Sequence, residues 1–303
     1  MSTNHREINI NMHDTIKLKG EILMNNISII GLGHAFIYQK EALNKYFNNI
    51  DLCDIDKNKI KKYKAISNYN LLNNNIVLIS TPPNTHLKII KDLINKKLIV
   101  EKPMITNMKE LNELININNS NIYSSLHYSF GKEIDYFINN INLKPKKIYS
   151  YISDNYVKDN HINKEQLSLG GSYLDEVINP LSAICRMFGY NIQFIKNDKK
   201  YYKGDIHDYY SKSIFKINNI ETVIEVEWNN KQSQKYIDLI YENKTIRLDS
   251  MNQEVIDITN NKILYKANGD RMTNHYMGVI NDYFKNNNFN NSIILHKELL
   301  KGV

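Results

Sequence analysis

Three short segments carry residue types that could do chemistry together. Gly31-Leu32-Gly33-His34-Ala35 follows the apolar run Ile27-Ser28-Ile29-Ile30 and opens a stretch of helical pattern. Glycines in that place let backbone N–H groups approach a phosphate at the positive end of a helix, so Gly31, Gly33, His34 and Ala35 are candidate contacts for a dinucleotide pyrophosphate. The third position of that glycine fingerprint is Phe36. Asp54 ends the second apolar run, where a carboxylate would accept hydrogen bonds from an adenosine ribose and repel a 2′-phosphate, favouring NAD over NADP. A third run ends in Ser80-Thr81-Pro82-Pro83-Asn84-Thr85-His86; its prolines fix the backbone, and Asn84 or Thr85 can cap the next helix. A fourth run ends in Val100-Glu101-Lys102-Pro103. A lysine held there beside a nicotinamide would hydrogen-bond a substrate hydroxyl and stabilise the charge on it as hydride leaves, a role worth roughly 10² to 10⁴ in rate.

The elements that must position these residues follow from periodicity. Apolar runs at Ile27–Ile30, Ile50–Cys53, Ile76–Ile79, Leu98–Val100 and Ile122–Leu126 alternate with helical stretches, which predicts a parallel sheet covered on both faces. After His127 the rhythm changes: helices over about 132–139 and 173–188, then consecutive strands from Ile192 to Ile258 joined by Asn-rich turns, which predicts an antiparallel sheet. The expected fold class is α/β, an N-terminal Rossmann doubly wound parallel sheet with a C-terminal α+β domain on an open-faced, largely antiparallel sheet. The domains are expected at 25–126 for the dinucleotide and 127–303 for substrate binding and oligomerisation, with residues 1–24 an N-terminal appendage. The helical pattern from Ile293 to Val303 is expected to leave an apolar surface for a partner.

Composition narrows the function classes. The 303 residues carry a net charge of +7, but the lysines are scattered, with no Arg-rich stripe and no interleaved stacking aromatics, so a nucleic-acid partner is not expected. No apolar run is long enough to span a bilayer or to serve as an export signal. Two distant cysteines, Cys53 and Cys185, build neither a disulfide framework nor a zinc site, and the histidines lack partners at ligand spacing, so no metal is expected. A reducing, cytoplasmic setting follows. Four of the five prolines and four of the eleven glycines fall inside the segments singled out here. Trp228 and the tyrosine-rich strands read as sheet core or subunit interface.

The glycine turn, the Thr-Pro loop with its histidine and the Glu-Lys-Pro, in this order and spacing, closely resemble the Gfo/Idh/MocA family of oxidoreductases, the glucose-fructose oxidoreductase and inositol dehydrogenase group. The resemblance is strong over residues 27–103 and looser to about Gly189. It implies bound NAD or NADP, a sugar, nucleotide-sugar or polyol substrate, hydride transfer at a hydroxyl or keto carbon, and a dimer or tetramer formed through the C-terminal sheet. It further implies that Gly31, Gly33, His34 and Ala35 hold the pyrophosphate and Asp54 the adenosine ribose. Ser80, Thr81, Pro82, Asn84 and His86 would border the nicotinamide half, with Glu101 near its ribose and Lys102 at the reacting oxygen.

Gly170-Gly171-Ser172-Tyr173-Leu174-Asp175-Glu176-Val177-Ile178-Asn179-Pro180 looks like the family's glycine-led catalytic helix. Residues four apart share a helix face, so Asp175 and Asn179 are expected to look toward Lys102, with Pro180 disturbing that geometry. The family usually carries His or Tyr where Asn179 stands, and Asn exchanges no proton near neutral pH. Either Lys102 and Asp175 move the proton alone, or Tyr173, Tyr156, His127 or His161 supplies it, or the chain does no redox chemistry and is a nucleotide-binding regulator. Reduction of an imine or tetrapyrrole, a minority activity of the family, is the other enzymatic alternative.

Overall fold

A computed structural model describes residues 26–117 and 120–303; the appendage expected over residues 1–24 lies outside them. Strands β1 (Ile27–Ile30), β2 (Ile50–Cys53), β3 (Ile76–Ile79), β4 (Lys97–Glu101) and β5 (Ile122–Ser125) form a five-stranded parallel sheet in the order β2-β1-β3-β4-β5. β1, β3 and β5 are buried at every position, which is why they read as unbroken runs. Helices α1 (His34–Tyr46), α2 (Lys57–Tyr63), α3 (His86–Asp92) and α4 (Met108–Ile117) make the crossovers. Phe36, Ala42 and Leu43 of α1 pack on one face, and Ile89, Ile90, Leu111 and Leu114 of α3 and α4 on the other. The strand order reverses between β1 and β3, so the loops that follow them open the crevice where such sheets bind ligands.

The rest of the chain runs α5 (Lys132–Asn140), β6 (Lys147–Asn155), β7 (Val157–Lys158), β8 (His161–Ile162), α6 (Ser172–Glu176), α7 (Ile178–Phe188), β9 (Ile192–Lys200), β10 (Tyr210–Ile217), β11 (Ile220–Glu227), β12 (Asn229–Ile240), β13 (Thr245–Asp249), β14 (Glu254–Asp257), β15 (Lys262–Lys266), α8 (Arg271–Lys285) and α9 (Phe289–Leu299). Eight strands form one sheet in the order β15-β14-β13-β12-β6-β11-β10-β9, antiparallel except where β11 lies parallel to β6. Alternation sets its faces: Ile148 and Ile152 of β6 and Ile237 and Leu239 of β12 enter the core. Tyr149, Tyr151 and Tyr236 project from the opposite face, where the first two donate to Glu225 and Glu227.

Two features depart from the sequence expectation. Helix α8 leaves the second sheet and returns to the first, where Tyr276, Val279 and Ile280 join Phe36 and Leu43 in one cluster. The C-terminal helix is not an open apolar surface either. Phe289, Leu295 and Leu299 of α9 are buried in the main core, and Tyr173 Oη donates to the Leu299 carbonyl at 2.6 Å.

Candidate active site

The glycine turn is shaped by close approach and by room. Gly31 has φ +95°, and a Cβ there would lie 2.6 Å from the Ser80 carbonyl, because the β1 and β3 loops abut. Gly33 caps α1 with ordinary φ; a Cβ there meets nothing within 4 Å, and no side chain caps the helix. Free N–H groups at a positive helix end, opening onto unfilled space, fit a pyrophosphate. His34 is exposed beside it and Ala35 half-buried. Phe36, at the third fingerprint position, turns inward and packs edge-on against Tyr63 at 5.4 Å, so its bulk does not occupy the phosphate side.

Asp54 closes the turn from β2. Its carboxylate accepts the Leu32 N–H at 2.7 Å and the Asp56 N–H at 2.9 Å, with Lys59 3.5 Å away. Burial pushes its pKa up, but those N–H groups and Lys59 outweigh it and hold the carboxyl below its ordinary value. Oδ1, which accepts only the Asp56 N–H, keeps a lone pair for a ribose hydroxyl.

In the Thr-Pro loop, Pro82 and Asn84 are exposed at the sheet edge and Thr81 is half-buried. Ser80 donates to Gln39 at 2.9 Å, and Gln39 donates to Glu101 at 2.6 Å. Glu101 also accepts from Ser125 and from the Lys102 N–H, and burial raises its pKa. Ser80 and Glu101 thus brace the sheet edge through Gln39.

His86, expected to border the nicotinamide, is fully buried instead. Its Nε2 faces the Thr81 carbonyl at 2.8 Å and its Nδ1 the Pro103 carbonyl at 3.1 Å, which ties the two ligand loops together. Burial lowers its pKa, so a neutral ring donates to only one of them at a time.

The Glu-Lys-Pro loop has a second brace that the sequence reading did not find. His296 of α9 accepts the Met104 N–H at 2.9 Å through Nε2 and donates from Nδ1 to the Ser292 carbonyl at 2.7 Å. Burial lowers its pKa to about 4. Replacing His296 by leucine strands the buried Met104 N–H, at an expected cost of about 1–3 kcal/mol at neutral pH. A histidine whose folded pKa lies below its unfolded value contributes stability that is full above about pH 6.5 and is lost as pH falls toward the folded value. The wild type's thermal advantage over His296→Leu should therefore shrink as melting is measured at successively lower pH. An advantage independent of pH would count against the neutral-ring assignment.

Lys102 follows Glu101 at the carboxyl end of β4, in a cis peptide with Pro103. Its Nζ donates to Asp175 Oδ1 at 2.7 Å and to the Asp175 carbonyl at 2.9 Å. Side-chain exposure is only 14% for Lys102 and 9% for Asp175. Burial disfavours the ammonium, yet Asp175, Glu176 and Glu101 outweigh it and raise the lysine's pKa, so it stays charged. Burial raises the pKa of Asp175, with Lys102 opposing.

Asp175 is placed by a helix that starts abruptly. Gly170 and Gly171 have φ +84° and +101°. Ser172 Oγ and the Tyr173 N–H then donate to the buried Asp208 carboxylate at 2.6 and 2.8 Å, a cap that the sequence reading missed. The helix expected over 173–188 is present as α6 and α7, with Val177 between them still helical at φ −62°, ψ −33°. Pro180, without an N–H, sits in the first turn of α7, where it is tolerated. Asp175 meets Lys102, whereas Asn179 Nδ2 donates to Glu176 Oε2 at 2.8 Å.

Glu176 opens a further group that the sequence reading did not reach. Lys235 Nζ lies 2.5 Å from Asp154 Oδ2 and 3.8 Å from Glu176 Oε1, and Ser233 Oγ donates to Asp154 at 3.2 Å. Asp154 and Glu176 also share a side-chain hydrogen bond. Of the alternative proton carriers, Tyr173 is spent on Leu299, and His161 is exposed, 3.4 Å from Asp205. His127 contacts His275 at 3.4 Å, and burial drives its pKa well down. Tyr156 packs on Trp228 and feels Asp154, Glu176 and Asp175, but burial and those carboxylates keep its phenol protonated. Among the described residues, no group of three His, Cys, Asp or Glu is arranged to hold a metal, and no helix is long and apolar enough to cross a membrane.

Residues 25–122 match the model of an oxidoreductase family with an NAD-binding Rossmann fold, Gfo/Idh/MocA. No curated protein matches the chain. Among solved structures, UDP-N-acetylglucosamine 3-dehydrogenase GnnA from Acidithiobacillus ferrooxidans is similar, with TM-score 0.76 and 12% identity over 92% of this chain and 97% of that one. KijD10, a 3-ketoreductase from Actinomadura kijaniata in complex with TDP-benzene and NADP, gives 0.74 and 10% over 92% and 96%. GenD2 from gentamicin A biosynthesis, in complex with NAD, gives 0.72 and 12% over 93% of each chain. At these identities the likeness shows the fold.

Proposed function

We propose that this chain, which belongs through its NAD-binding Rossmann domain to the Gfo/Idh/MocA oxidoreductase family, transfers hydride between a nicotinamide dinucleotide and a hydroxyl or keto carbon of a sugar or nucleotide sugar. The observation that carries this reading is the meeting of Lys102 from the first sheet with Asp175 from the catalytic helix at 2.7 Å, at the sheet edge that also bears Gly31 and Gly33. The names of GnnA and KijD10 motivate the sugar class. Gly31, Gly33, His34 and Ala35 would hold the pyrophosphate and Asp54 the adenosine ribose, with Thr81, Pro82 and Asn84 bordering the nicotinamide. The dinucleotide supplies the hydride acceptor or donor when bound. Lys102 then aims its remaining N–H at the substrate oxygen and stabilises the negative charge that grows there, in a site where burial strengthens the interaction. Asp175 fixes the direction of that ammonium.

Asp54 favours NAD over NADP, because its ionised carboxylate would meet a 2′-phosphate. The half-buried tyrosine face of the eight-stranded sheet is the surface through which copies of the chain would assemble. The test is NADH formation from NAD with UDP-N-acetylglucosamine and a panel of nucleotide sugars and free sugars, and NADH loss with the corresponding ketones. Activity with any member supports the reading; silence with all, alongside tight dinucleotide binding, refutes it in favour of a nucleotide-binding regulator.

A further inference from the structure

Asn179, which exchanges no proton near neutral pH, has its amide spent on Glu176. A proton must still leave the substrate hydroxyl when the carbon loses hydride. Lys102 is charged, and Asp175 is paired with it, so neither is an open acceptor. Glu176, next to Asp175 in the chain, shares a hydrogen bond with Asp154, and Lys235 spans the two.

Backbone parity put them there. Asp154 lies two residues beyond Ile152 on β6, and Lys235 two before Ile237 on β12, so both enter the face of the sheet that α6 covers. Charged side chains at core-facing strand positions are costly to bury.

We propose that the proton released with the hydride is held by the Asp154–Glu176 carboxyl pair, with Lys235 as its counter-charge and Asn179, through its hydrogen bond, as the residue that positions Glu176. The inference rests on the dehydrogenase reading above. In the oxidative direction the substrate O–H bond breaks, its proton passes to the pair, the carbon–oxygen double bond forms, and the hydride goes to the dinucleotide. In reduction every step runs backward and the pair returns the proton.

The surroundings push the two carboxyls apart, as an acid-base pair requires. Burial and the neighbouring Glu176 raise Asp154 to about 7, against the pull of Lys235. Burial acts upward on Glu176 too, but Lys235, Lys102 and the hydrogen bonds from Asp154 and Asn179 outweigh it and bring it to about 2. The groups facing the pair are Lys235 and Ser233 from β12, Asp175 from α6, Asn179 from α7, Lys102 after β4 and Tyr156 after β6. His127 lies beyond, against His275, within electrostatic reach of Lys102 and Lys235, and burial keeps it neutral. An acceptor near 7 makes oxidation rise, and reduction fall, as pH increases through neutrality.

Two measurements test this. With the sugar found active above, Asp154→Asn should lower turnover by roughly 10² to 10⁴ and abolish the neutral limb of the pH profile, while NADH affinity stays put. Asn179→His in the same background restores an exchangeable group and should recover part of the loss. Wild-type turnover and pH profile in Asp154→Asn would overturn the proposal.

Infrared titration of the NAD-bound protein needs no substrate. A carboxyl band titrating near neutrality, present in the wild type and missing in Asp154→Asn, supports the pair; identical spectra overturn it. Glu133, raised by burial to about 7, gives a band of its own that both proteins share. If no sugar turns over in the wild type, the dehydrogenase reading fails, and the infrared comparison still decides whether this pair carries a proton.

Discussion

Turnover should fall about 10³-fold or more when Lys102 is replaced by methionine, with binding of the dinucleotide preserved. The ammonium sits in a site where Lys102 and Asp175 are nearly closed to solvent, so no water molecule can easily take over its charge. It is charged at every pH of interest, because Asp175, Glu176 and Glu101 together overcome its burial. The loss should therefore be uniform across the pH profile, unlike that of Asp154→Asn. The hydrogen bonds of the Lys102 ammonium go to Asp175 and none to the glycine turn, Asp54 or the Thr-Pro loop, so NADH fluorescence should report affinity within a few-fold of wild type. The variant also strands Asp175 without its counter-ion, and breaking a buried pair can cost about 3–5 kcal/mol. Asp175 avoids much of that cost by taking up a proton, since burial already raises its pKa. A carboxyl whose folded pKa is raised confers relative stability as pH falls, so the thermal deficit of Lys102→Met should be largest at alkaline pH and shrink on acidification. Retained turnover would refute the role assigned to Lys102, and with it the reading of the cleft.

The parallel sheet and its loops were legible because both-face burial writes strands as unbroken apolar runs, and because Gly31 and Pro82-Pro83 mark turns that few other residues can make. Helix α8 was not legible as part of that sheet. Its amphipathic pattern shows that Tyr276 and Val279 need a partner, but nothing local says that the partner is α1, more than two hundred residues earlier. The proton-holding pair was missed for a related reason. The sequence reading drew no strand through Asp154 and did not single out Lys235, whereas extending the alternation of Ile148 and Ile152, and of Ile237 and Leu239, by one step puts both on the core face. Asn179 misled in the opposite way. Residues four apart share a helix face, yet Asp175 reaches Lys102 while the Asn179 amide turns to Glu176, three residues back on the same helical stretch. The work of His86 was equally hidden, because nothing local says that its ring, fully buried, faces the Thr81 and Pro103 carbonyls and joins the two loops from beneath.

Gly33→Asp separates the fold from its ligand by moving them in opposite directions. Gly33 caps α1 with φ −87°, which any residue adopts, and its missing side chain would extend into open space. Aspartate is among the best N-cap residues and is favoured by the helix dipole, and it also has less freedom to lose on folding than glycine. The variant should melt at the wild-type temperature or slightly above, with a gain of up to about 1 kcal/mol. The same carboxylate would stand where the pyrophosphate must sit. Two unit charges about 5–6 Å apart at an effective dielectric near 20 repel by about 3 kcal/mol, so dinucleotide affinity should fall by on the order of 10²-fold. Added salt should recover part of that loss by screening. Gly33→Ala, which brings bulk without charge, should weaken binding less and respond less to salt. The pair of variants distinguishes a phosphate cradle from an ordinary strand-to-helix turn: the turn alone predicts the gain in stability, and only the cradle predicts that the gain comes with lost NADH fluorescence. Full affinity in a folded Gly33→Asp protein would move the pyrophosphate away from the glycine turn and count against the cofactor placement proposed for Lys102 and Asp175.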